Sequence, residues 1–269
     1  MKKVLALILA VLLMVAMCGC SKAEYGDLHI MEGVHLSELE GYGIAFRKGS
    51  DVVEHVEKAI DKLYDDGTAK LFASSYGVVD NLMVDFLPSE SYSVSGDSDW
   101  AYIQKKGTLV IGVTSFKPMD YLNSSSKWIG FDADLAREVC KELGVTAQFK
   151  EIVWATKEQA LDSKAIDCIW NGMTLTAAIR NTSSVTAPYM TNRQVVVVKD
   201  EKYGDLASLK GKTVAVEAGS AGAAAAAKID GVKIKEVESM ADAMLQVQSG
   251  AADACVVDSV MANSMINAH

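Results

Sequence analysis

The sequence predicts an α/β fold in which mostly parallel sheets are covered by helices on both faces. Between residues 100 and 269, short apolar strands alternate with segments of helical periodicity, which is typical of parallel sheets. The run "RQVVVVKD" has four consecutive valines, as expected for a strand buried on both faces. A chain of 269 residues, 50% of them hydrophobic, is long enough for one large domain or two medium ones.

Residues 1–19 have the features of a signal peptide. Lys2 and Lys3 form a basic start, and the following apolar run "VLALILAVLLMVAM" is short for a membrane span. The segment ends in Gly19 and Cys20, which resemble the lipobox of bacterial lipoproteins and predict lipidation at Cys20. An ordinary secretory signal is the alternative. A lipid would anchor the protein to a membrane surface without spanning it.

The next block, residues 24–87, contains a predicted strand and two helices. The segment "YGIAFRKGS" reads as a strand that ends in a turn, with Arg47 expected on the surface. Ser50 can cap the following helix and Gly67 can end it. The buried face of that helix is predicted to consist of Val53, Val56, Ile60 and Leu63. The Ser-rich segment 88–99 then reads as a linker.

After the linker, strands and helices follow one another in order. "GTLVIGVT" is a buried strand, and "GFDADLAREVCKELGV" is an amphipathic helix that Gly144 ends. "TAQFKEIV", "DCIWNGM" and "TVAVE" are further strands, and "MADAMLQVQSG" is a helix. "ADACVVDSVMANSMI" is a strand that runs directly into a helix. In such sheets ligands bind beyond the carboxyl ends of the strands.

Charge and cysteine content exclude several classes of function. The net charge is −9, and an acidic surface argues against nucleic-acid binding. Cys140, Cys168 and Cys255 each lie in an apolar run, so we expect buried free thiols. The sequence has no CxxC and no Cys/His spacing suited to zinc, and we therefore expect neither a metal site nor a cofactor.

Several motifs, taken in order, resemble the type 2 periplasmic-binding-protein family, the solute-binding proteins of amino-acid ABC importers. They are "KGTLVIGVTSFKPMDY", "GFDADL", "NGMTLT", "AVEAGSAG" and "VVDS". The resemblance implies a two-lobed fold with a hinge, which captures an amino acid with a polar or charged side chain by lobe closure. It further implies a monomer at the outer face of the cytoplasmic membrane that delivers its ligand to an ABC permease.

The order of the segments differs from that family. Family members continue after a "VVDS"-like segment and end with a segment like "YGIAFRKGSD", which here stands near the front. We therefore expect a circularly permuted order; a wrongly joined sequence, or two fragments that never complete one fold, are the alternatives. The expected parts are residues 24–40 (end of the second lobe and return crossover), 41–87 (C-terminal-type segment of the first lobe), 88–99 (linker), 100–193 (first lobe), 194–199 (crossover) and 200–269 (second lobe).

The resemblance also implies which residues bind the ligand's ammonium group. By motif these are Asp258, the backbone at Asn171 and Gly172, and the hydroxyl of Thr174. Buried ammonium and carboxylate groups both need charge-assisted partners. Asp258 directly precedes an apolar helix, so a role as helix N-cap is the alternative.

The ligand's carboxylate is assigned to a turn and, less directly, to an arginine. The resemblance implies Gly219, Ser220 and Ala221, where a helix start offers free N–H groups; a plain turn capped by Ser220 is the alternative. Family members present an Arg on the helix after "NGMT". At that position this sequence has Ile179, and Arg180 comes next, about 100° further around the helix, which leaves its role open.

The pocket for the ligand's side chain is less defined. Phe116, Tyr121 and Trp170 are candidate walls, although each could instead belong to the core, and Ser115 is a candidate polar contact. Asp120 in the pocket would favour a cationic or amide side chain; alternatively it lies behind the pocket.

Two rival functions remain on the same fold. A dehydratase-like enzyme would need a general acid or base in the cleft, and none of the four His falls in a ligand motif, so we expect a non-enzyme. A ligand-sensing module would signal closure to a partner, and fused signalling domains would favour it.

Overall fold

The structure is a computed structural model that describes residues 25–89, 91–92 and 98–267. The predictions for residues 1–19 and for Cys20 lie outside the described residues, as do residue 90 and residues 93–97 of the expected linker. Two separate sheets form the cores of two lobes. None of the helices in the described ranges is long and apolar enough to cross a membrane.

The first lobe is built on a six-stranded sheet. Its strands are β2 (Glu40–Arg47), β3 (Thr108–Val113), β6 (Thr146–Glu151), β7 (Cys168–Thr174), β8 (Ser183–Val185) and β9 (Met190–Asn192). The sheet order is β6-β3-β7-β2-β8, and β9 also pairs with β2. Strand β3 is parallel to its two neighbours, whereas β2 is antiparallel to all of its partners. A short hairpin, β4 (Tyr121–Leu122) with β5 (Trp128–Ile129), lies beside this sheet.

The second lobe is built on a five-stranded sheet. Its strands are β1 (His29–His35), β10 (Gln194–Val198), β11 (Thr213–Glu217), β12 (Lys233–Val237) and β13 (Ala254–Asp258). The sheet order is β1-β10-β13-β11-β12. Strand β11 is parallel to β12 and β13, and β10 is antiparallel to β13 and β1. All five residues of β10 are buried, as the valine run predicts.

Helices cover the two sheets. In chain order the described α-helices are α1 (Val52–Asp65), α2 (Thr68–Ser75), α3 (Asp99–Lys106), α4 (Phe131–Glu142), α5 (Lys157–Asp162), α6 (Ala177–Thr182), α7 (Ala221–Ala226), α8 (Met240–Gln248) and α9 (Ser259–Ile266). The predicted buried face of α1 is confirmed, because all four of its apolar residues are at most 3% exposed. Gly67 has a φ of 82° just after this helix, so it ends the helix by adopting a conformation that other residues avoid.

The segment before residue 87 contributes to both sheets. β1 pairs with β10 in the second lobe, and β2 lies between β7 and β8 in the first. At the start of the expected linker, two residues are hydrogen-bonded to the carboxylate of Glu57 on α1. The Ser89 nitrogen donates to it at 2.8 Å, and the Tyr92 hydroxyl donates to it at 2.5 Å. This part of the chain is therefore packed into the fold.

Within the residues that the structure describes, the chain passes between the lobes at two adjacent places. One crossing joins β1 to β2, and the other, at Arg193, joins β9 to β10. The crossings are hydrogen-bonded to each other: Leu36 N donates to Gln194 O at 2.9 Å, and Gln194 N donates to Ser37 Oγ at 3.0 Å. Residues 194–198, expected as a crossover, are instead a full strand of the second-lobe sheet, because their backbone pairs along its whole length with β13.

Arg47 lies in the interior, so the expectation of a surface turn residue is wrong. It is 9% exposed, and its Nε donates to Asp99 Oδ2 at 2.8 Å. Its Nη1 donates to the carbonyl of Ile166 at 2.9 Å, and its Nη2 lies 3.6 Å from Asp167 Oδ1. Two carboxylates and a backbone carbonyl thus offset the cost of burying the guanidinium.

The three cysteines of the described chain are buried free thiols, as predicted. Burial raises the pKa of Cys140 to about 12 and the pKa of Cys168 well above its usual value. Thiols that stay protonated in this way are poor nucleophiles. Their role is therefore in packing.

Candidate functional site

A cavity of about 370 Å³ lies between the two lobes. From the first lobe it is lined by the end of β7 and the start of α5; from the second, by the turn after β11 and the end of β13. Its volume falls in the range of small-molecule sites. The sequence-predicted residues that line it are Gly172, Thr174, Gly219, Ser220, Ala221 and Asp258.

Asp258 ends β13 at the inner wall of this cavity and is 1% exposed. Its carboxylate accepts hydrogen bonds from the hydroxyl of Tyr42 at 2.7 Å and from Nε2 of Gln194 at 2.5 Å. Although Asp258 occupies the N-cap position of α9, its side chain makes no capping hydrogen bond to that described helix. Burial raises the pKa of Asp258 to about 6, against the opposing effect of the two donors. The carboxylate is thus held toward the cavity by residues of both lobes.

The end of β7 is shaped by close contacts around Gly172. This glycine has a φ of 54°, and a Cβ at that position would lie 2.5 Å from the ring of Phe116. The Gly172 nitrogen donates to Asp132 Oδ2 at 2.6 Å, which fixes the peptide beside the cavity. The side chain of Asn171 is occupied by Thr114 and by Asp120, at 2.7 and 3.0 Å. The side chain of Asn171 therefore braces the strand end.

The turn after β11 approaches the first lobe closely. Gly219 has a φ of 72°, and a Cβ there would lie 3.0 Å from the Cα of Ala155. The hydroxyl of Ser220 accepts a hydrogen bond from Ala223 N at 3.0 Å, so the capping role proposed as an alternative is present. The residues of this turn line the cavity, and the Ser220 side chain caps the helix.

A small pocket of about 10 Å³, which we call the narrow extension, adjoins the main cavity and shares Trp154, Gly172 and Met240 with it. Ser115, Phe116, Trp154, Glu217 and Met240 line it, together with the end of β7. Beyond Ser115 lies a second cavity of about 190 Å³, where Tyr121, Trp128 and Met261 form part of the wall. Ser115 and Phe116 thus line the narrow extension, and Tyr121 lies at the wall of the second cavity.

Glu217 is an acidic residue of the cleft that the sequence reasoning missed. It ends β11, is 3% exposed, and faces the narrow extension. Burial, followed by the negative charge of Asp258, raises the pKa of Glu217 to about 8, while Lys157 opposes the shift. An acidic residue that ends a buried strand at the ligand edge of a sheet was the signal in the sequence, in the letters "TVAVE".

Lys157 and Trp154 were also missed. Lys157 begins α5 and lines the main cavity, and its Nζ donates to the carbonyl of Gly219 at 3.1 Å across the cleft. The same Nζ lies 4.8 Å from the ring centroid of Trp154. Burial lowers the pKa of Lys157.

Three predicted residues do not line the cleft. Trp170 is fully buried in the first-lobe core, 6.5 Å from the ring of Tyr189. Asp120 is fully buried behind the strand end, where it accepts from Asn171; burial, then the nearby charge of Asp132, raises the pKa of Asp120 well above its usual value. Arg180 is exposed, because the short helix α6 turns its neighbour Ile179 into the cavity wall instead.

One family model and several known proteins are similar to this chain. A model of the family described as "Bacterial extracellular solute-binding proteins, family 3" matches residues 109–218. The L-cystine-binding protein TcyA of Bacillus subtilis is 33% identical over 171 residues, which is 61% of this chain and 63% of the relative. The arginine-binding extracellular protein ArtP of the same organism is 27% identical over 62% of this chain and 67% of its own length. The aligned part thus spans about two thirds of these relatives.

Solved structures give the same result. The arginine-bound form of truncated ArgBP from T. maritima superposes with a TM-score of 0.59 at 33% identity, covering 62% of this chain and 81% of that one. The ancestral amino acid-binding protein AncCDT-1, a precursor of cyclohexadienyl dehydratase, superposes with a TM-score of 0.60 at 34% identity, covering 64% and 80%. With these likenesses and the two-lobed α/β architecture, the chain belongs to the bacterial extracellular solute-binding proteins of family 3.

Proposed function

We propose that this protein captures an amino acid between its two lobes outside the cytoplasm and delivers it to an ABC importer. The observation that carries the proposal is the inter-lobe cavity with the buried carboxylate of Asp258 at its wall. Relatives named for binding cystine and arginine support it. The family's description as extracellular supports the location.

The ligand's ammonium group binds Asp258, with the backbone of Gly172 and the hydroxyl of Thr174 as further partners. All three residues line the same cavity. A buried ammonium needs such charge-assisted hydrogen bonds, because it gives up its water on entry. The ligand's carboxylate lies toward the turn at Gly219, on the opposite lobe from Thr174.

The side chain of the ligand is cationic in this proposal. Glu217 is buried at the narrow extension, and Ser115 and Phe116 form the other side. A buried carboxyl group without a cationic partner holds a proton, whereas a guanidinium or ammonium side chain would stabilise its ionised form. We take arginine as the probe, because ArtP of Bacillus subtilis is named for binding it and ArgBP from T. maritima was solved with it bound.

Binding closes the cleft, because the site needs contacts from both lobes. Ala155 of the first lobe and Gly219 of the second are already close together, as are Tyr42 and Asp258. A ligand that touches both lobes stabilises the closed arrangement relative to the open one. This shift in population is the mechanism of capture, and it requires no covalent step.

A thermal-shift screen with the twenty amino acids and cystine tests the proposal. We expect a cationic amino acid to raise the melting temperature of the wild type and to have no effect on Asp258→Asn. Asp230→Asn is a matched control, since Asp230 is a second-lobe aspartate whose exposed side chain pairs with Lys210. If no amino acid shifts the wild type, or if Asp258→Asn responds fully, the proposal is wrong.

We also propose that the order of segments is a circular permutation. It is supported by the pairing of β1 with β10 and of β2 with β7, which places the early segments in both sheets. A rearranged chain that begins near residue 98 and joins residue 267 to residue 25 is expected to fold with similar stability and bind the same amino acid. Failure of that chain to fold would argue against the permutation.

The lipid anchor at Cys20 and a monomeric state complete the proposal. The Gly19-Cys20 motif supports the anchor. Labelling with a fatty acid in a bacterial host is expected for the wild type and absent in Cys20→Ala. A dimer in sedimentation would refute the monomer.

A dehydratase is a second candidate, and one observation favours it. The pKa of Glu217 is raised to about 8, so this buried group carries a proton at neutral pH and could donate it to a leaving hydroxyl. One solved relative is described as a precursor of a dehydratase. Formation of an aromatic product from a cyclohexadienol carboxylate, lost in Glu217→Gln, would support this function; no product with the wild type would exclude it.

A further inference from the structure

We propose that Lys157 binds the carboxylate of the ligand. The inference rests on the proposed function, and it assigns the carboxylate to a residue of α5, whereas the resemblance implied the turn at Gly219 and left the role of Arg180 on α6 open. Lys157 lines the main cavity at the place where the two lobes meet. Arg180, in contrast, is exposed, and Ile179 takes the cavity position.

The charges around the cavity are complementary to a cationic amino acid. Among the described residues that line the main cavity, Lys157 is the cation, and Glu158 and Asp258 are the anions. Glu217 adds a further carboxyl group in the narrow extension. A zwitterion with a cationic side chain has two positive groups for Asp258 and Glu217. Its single negative group then needs a cation, and Lys157 is available.

The ammonium of Lys157 has hydrogen-bonding capacity to spare. Its contacts are the neutral carbonyl oxygens of Gly219 at 3.1 Å and Trp154 at 3.4 Å. Within residues 25–89, 91–92 and 98–267, it forms no ion pair with a carboxylate. A lysine has three donors and a point charge, so a half-buried ammonium whose hydrogen bonds go to neutral carbonyls is suited to an incoming anion.

The position of Lys157 also matches the expected place of the carboxylate. Its hydrogen bond to the Gly219 carbonyl puts Nζ beside the turn of residues 219–221, at the wall of the main cavity. The ring of Trp154 lies under the ammonium and holds the side chain over the cleft. The hydrogen bond from Lys157 Nζ to the Gly219 carbonyl joins the two lobes. A carboxylate bound at Lys157 would therefore also favour closure of the cleft.

The test compares two probes and four proteins. The probes are L-arginine and L-argininamide, which keeps the ammonium and the guanidinium but replaces the carboxylate with a neutral amide. The proteins are the wild type, Lys157→Met, Lys157→Arg and the control Lys150→Met. Lys150 is an exposed first-lobe lysine that likewise donates to a backbone carbonyl, that of Ala165, at 3.1 Å.

We expect Lys157→Met to weaken arginine binding by about 10- to 100-fold, the range for a lost hydrogen bond to a charged group. The same variant should change argininamide binding by less than about threefold, because that probe has no charge for Lys157 to attract. Lys157→Arg should retain most of the arginine affinity, and Lys150→Met should match the wild type. Calorimetry supplies each dissociation constant, and a melting curve without ligand confirms that each variant is folded.

Several outcomes separate this inference from the proposed function. If the wild type binds arginine and Lys157→Met binds both probes as the wild type does, or weakens both equally, the inference is overturned and the function stands. If Lys157→Met is unfolded, Lys157→Gln takes its place in the same comparison. If the screen selects a different amino acid, that amino acid and its carboxamide replace the probes. If the wild type binds no amino acid, the proposed function and this inference both fail.

Discussion

The buried acid Glu217 makes a quantitative prediction about pH. Its pKa is raised to about 8, chiefly by burial, so the free protein holds a proton on this group at neutral pH. A cationic ligand side chain is attracted to the ionised form alone. Binding must therefore release the proton, and arginine affinity is expected to rise with pH below 8. The charge of arginine itself is constant between pH 6 and pH 7.

The size of the change in arginine affinity with pH follows from the fraction of protein in which Glu217 and Asp258 are ionised. With a pKa of about 8, the ionised fraction of Glu217 grows from about 1% at pH 6 to about 9% at pH 7, a roughly ninefold change. Asp258, with a pKa of about 6, grows from about 50% to about 90% ionised and adds a factor of about two. The arginine dissociation constant should therefore fall by about 15- to 20-fold over this unit of pH.

Glu217→Gln provides the matched comparison, because glutamine keeps the shape and removes the titration. Its dissociation constant should change only about twofold over the same range, from Asp258 alone. Calorimetry in two buffers of different ionisation enthalpy gives the protons released at pH 7. We expect about one proton for the wild type and about 0.1 for the variant. Equal pH slopes for the two proteins would refute the assignment of Glu217 to the ligand's cation.

Three further predictions concern the framework of the site. Tyr42→Phe removes a hydrogen bond to the Asp258 carboxylate and should weaken arginine binding by about 10-fold or more, measured by calorimetry; an unchanged affinity would contradict the positioning role. Arg47→Met leaves the buried carboxylate of Asp167 with one partner fewer and should lower the free energy of unfolding in urea by about 3–5 kcal/mol, whereas a loss below about 1 kcal/mol would contradict the buried pair. Gly172→Ala forces a Cβ to within 2.5 Å of a phenylalanine ring at a φ of 54° and should cost about 1–3 kcal/mol of stability, with weaker ligand binding; a fully stable variant that binds as the wild type would show that the strand end can relax.

The sequence was sufficient for the parts of the fold that depend on local pattern. The apolar spacing of α1 and the unbroken valine run of β10 each predict a burial pattern that the structure reproduces. Gly67 ends a helix because it adopts a positive φ that other residues avoid, so this one residue is enough for the prediction. Asp258 was assigned through the resemblance of "VVDS" to the family's motif, and parallel strands bring residues at strand ends to one edge of a sheet.

Other features depend on contacts between distant parts of the chain. Arg47 was assigned to the surface because its carboxylate partners, Asp99 and Asp167, are far away in sequence. Lys157 and Glu217 join the site from opposite lobes, and no motif relates one to the other. Residues of this kind become visible only when both sheets are placed together.

The paired crossings between the lobes limit the kind of motion that closure can use. Leu36 and Ser37 on one crossing are hydrogen-bonded to Gln194 on the other, so the two act as one short ribbon. Because they are joined in this way, the two crossings are expected to bend together when the lobes move. The side chain of Gln194 also bonds to both Glu40 and Asp258, at 2.9 and 2.5 Å. Any bend of the ribbon therefore moves the carboxylate that faces the cavity, and an open lobe pair would present a differently aimed Asp258 to an arriving ligand.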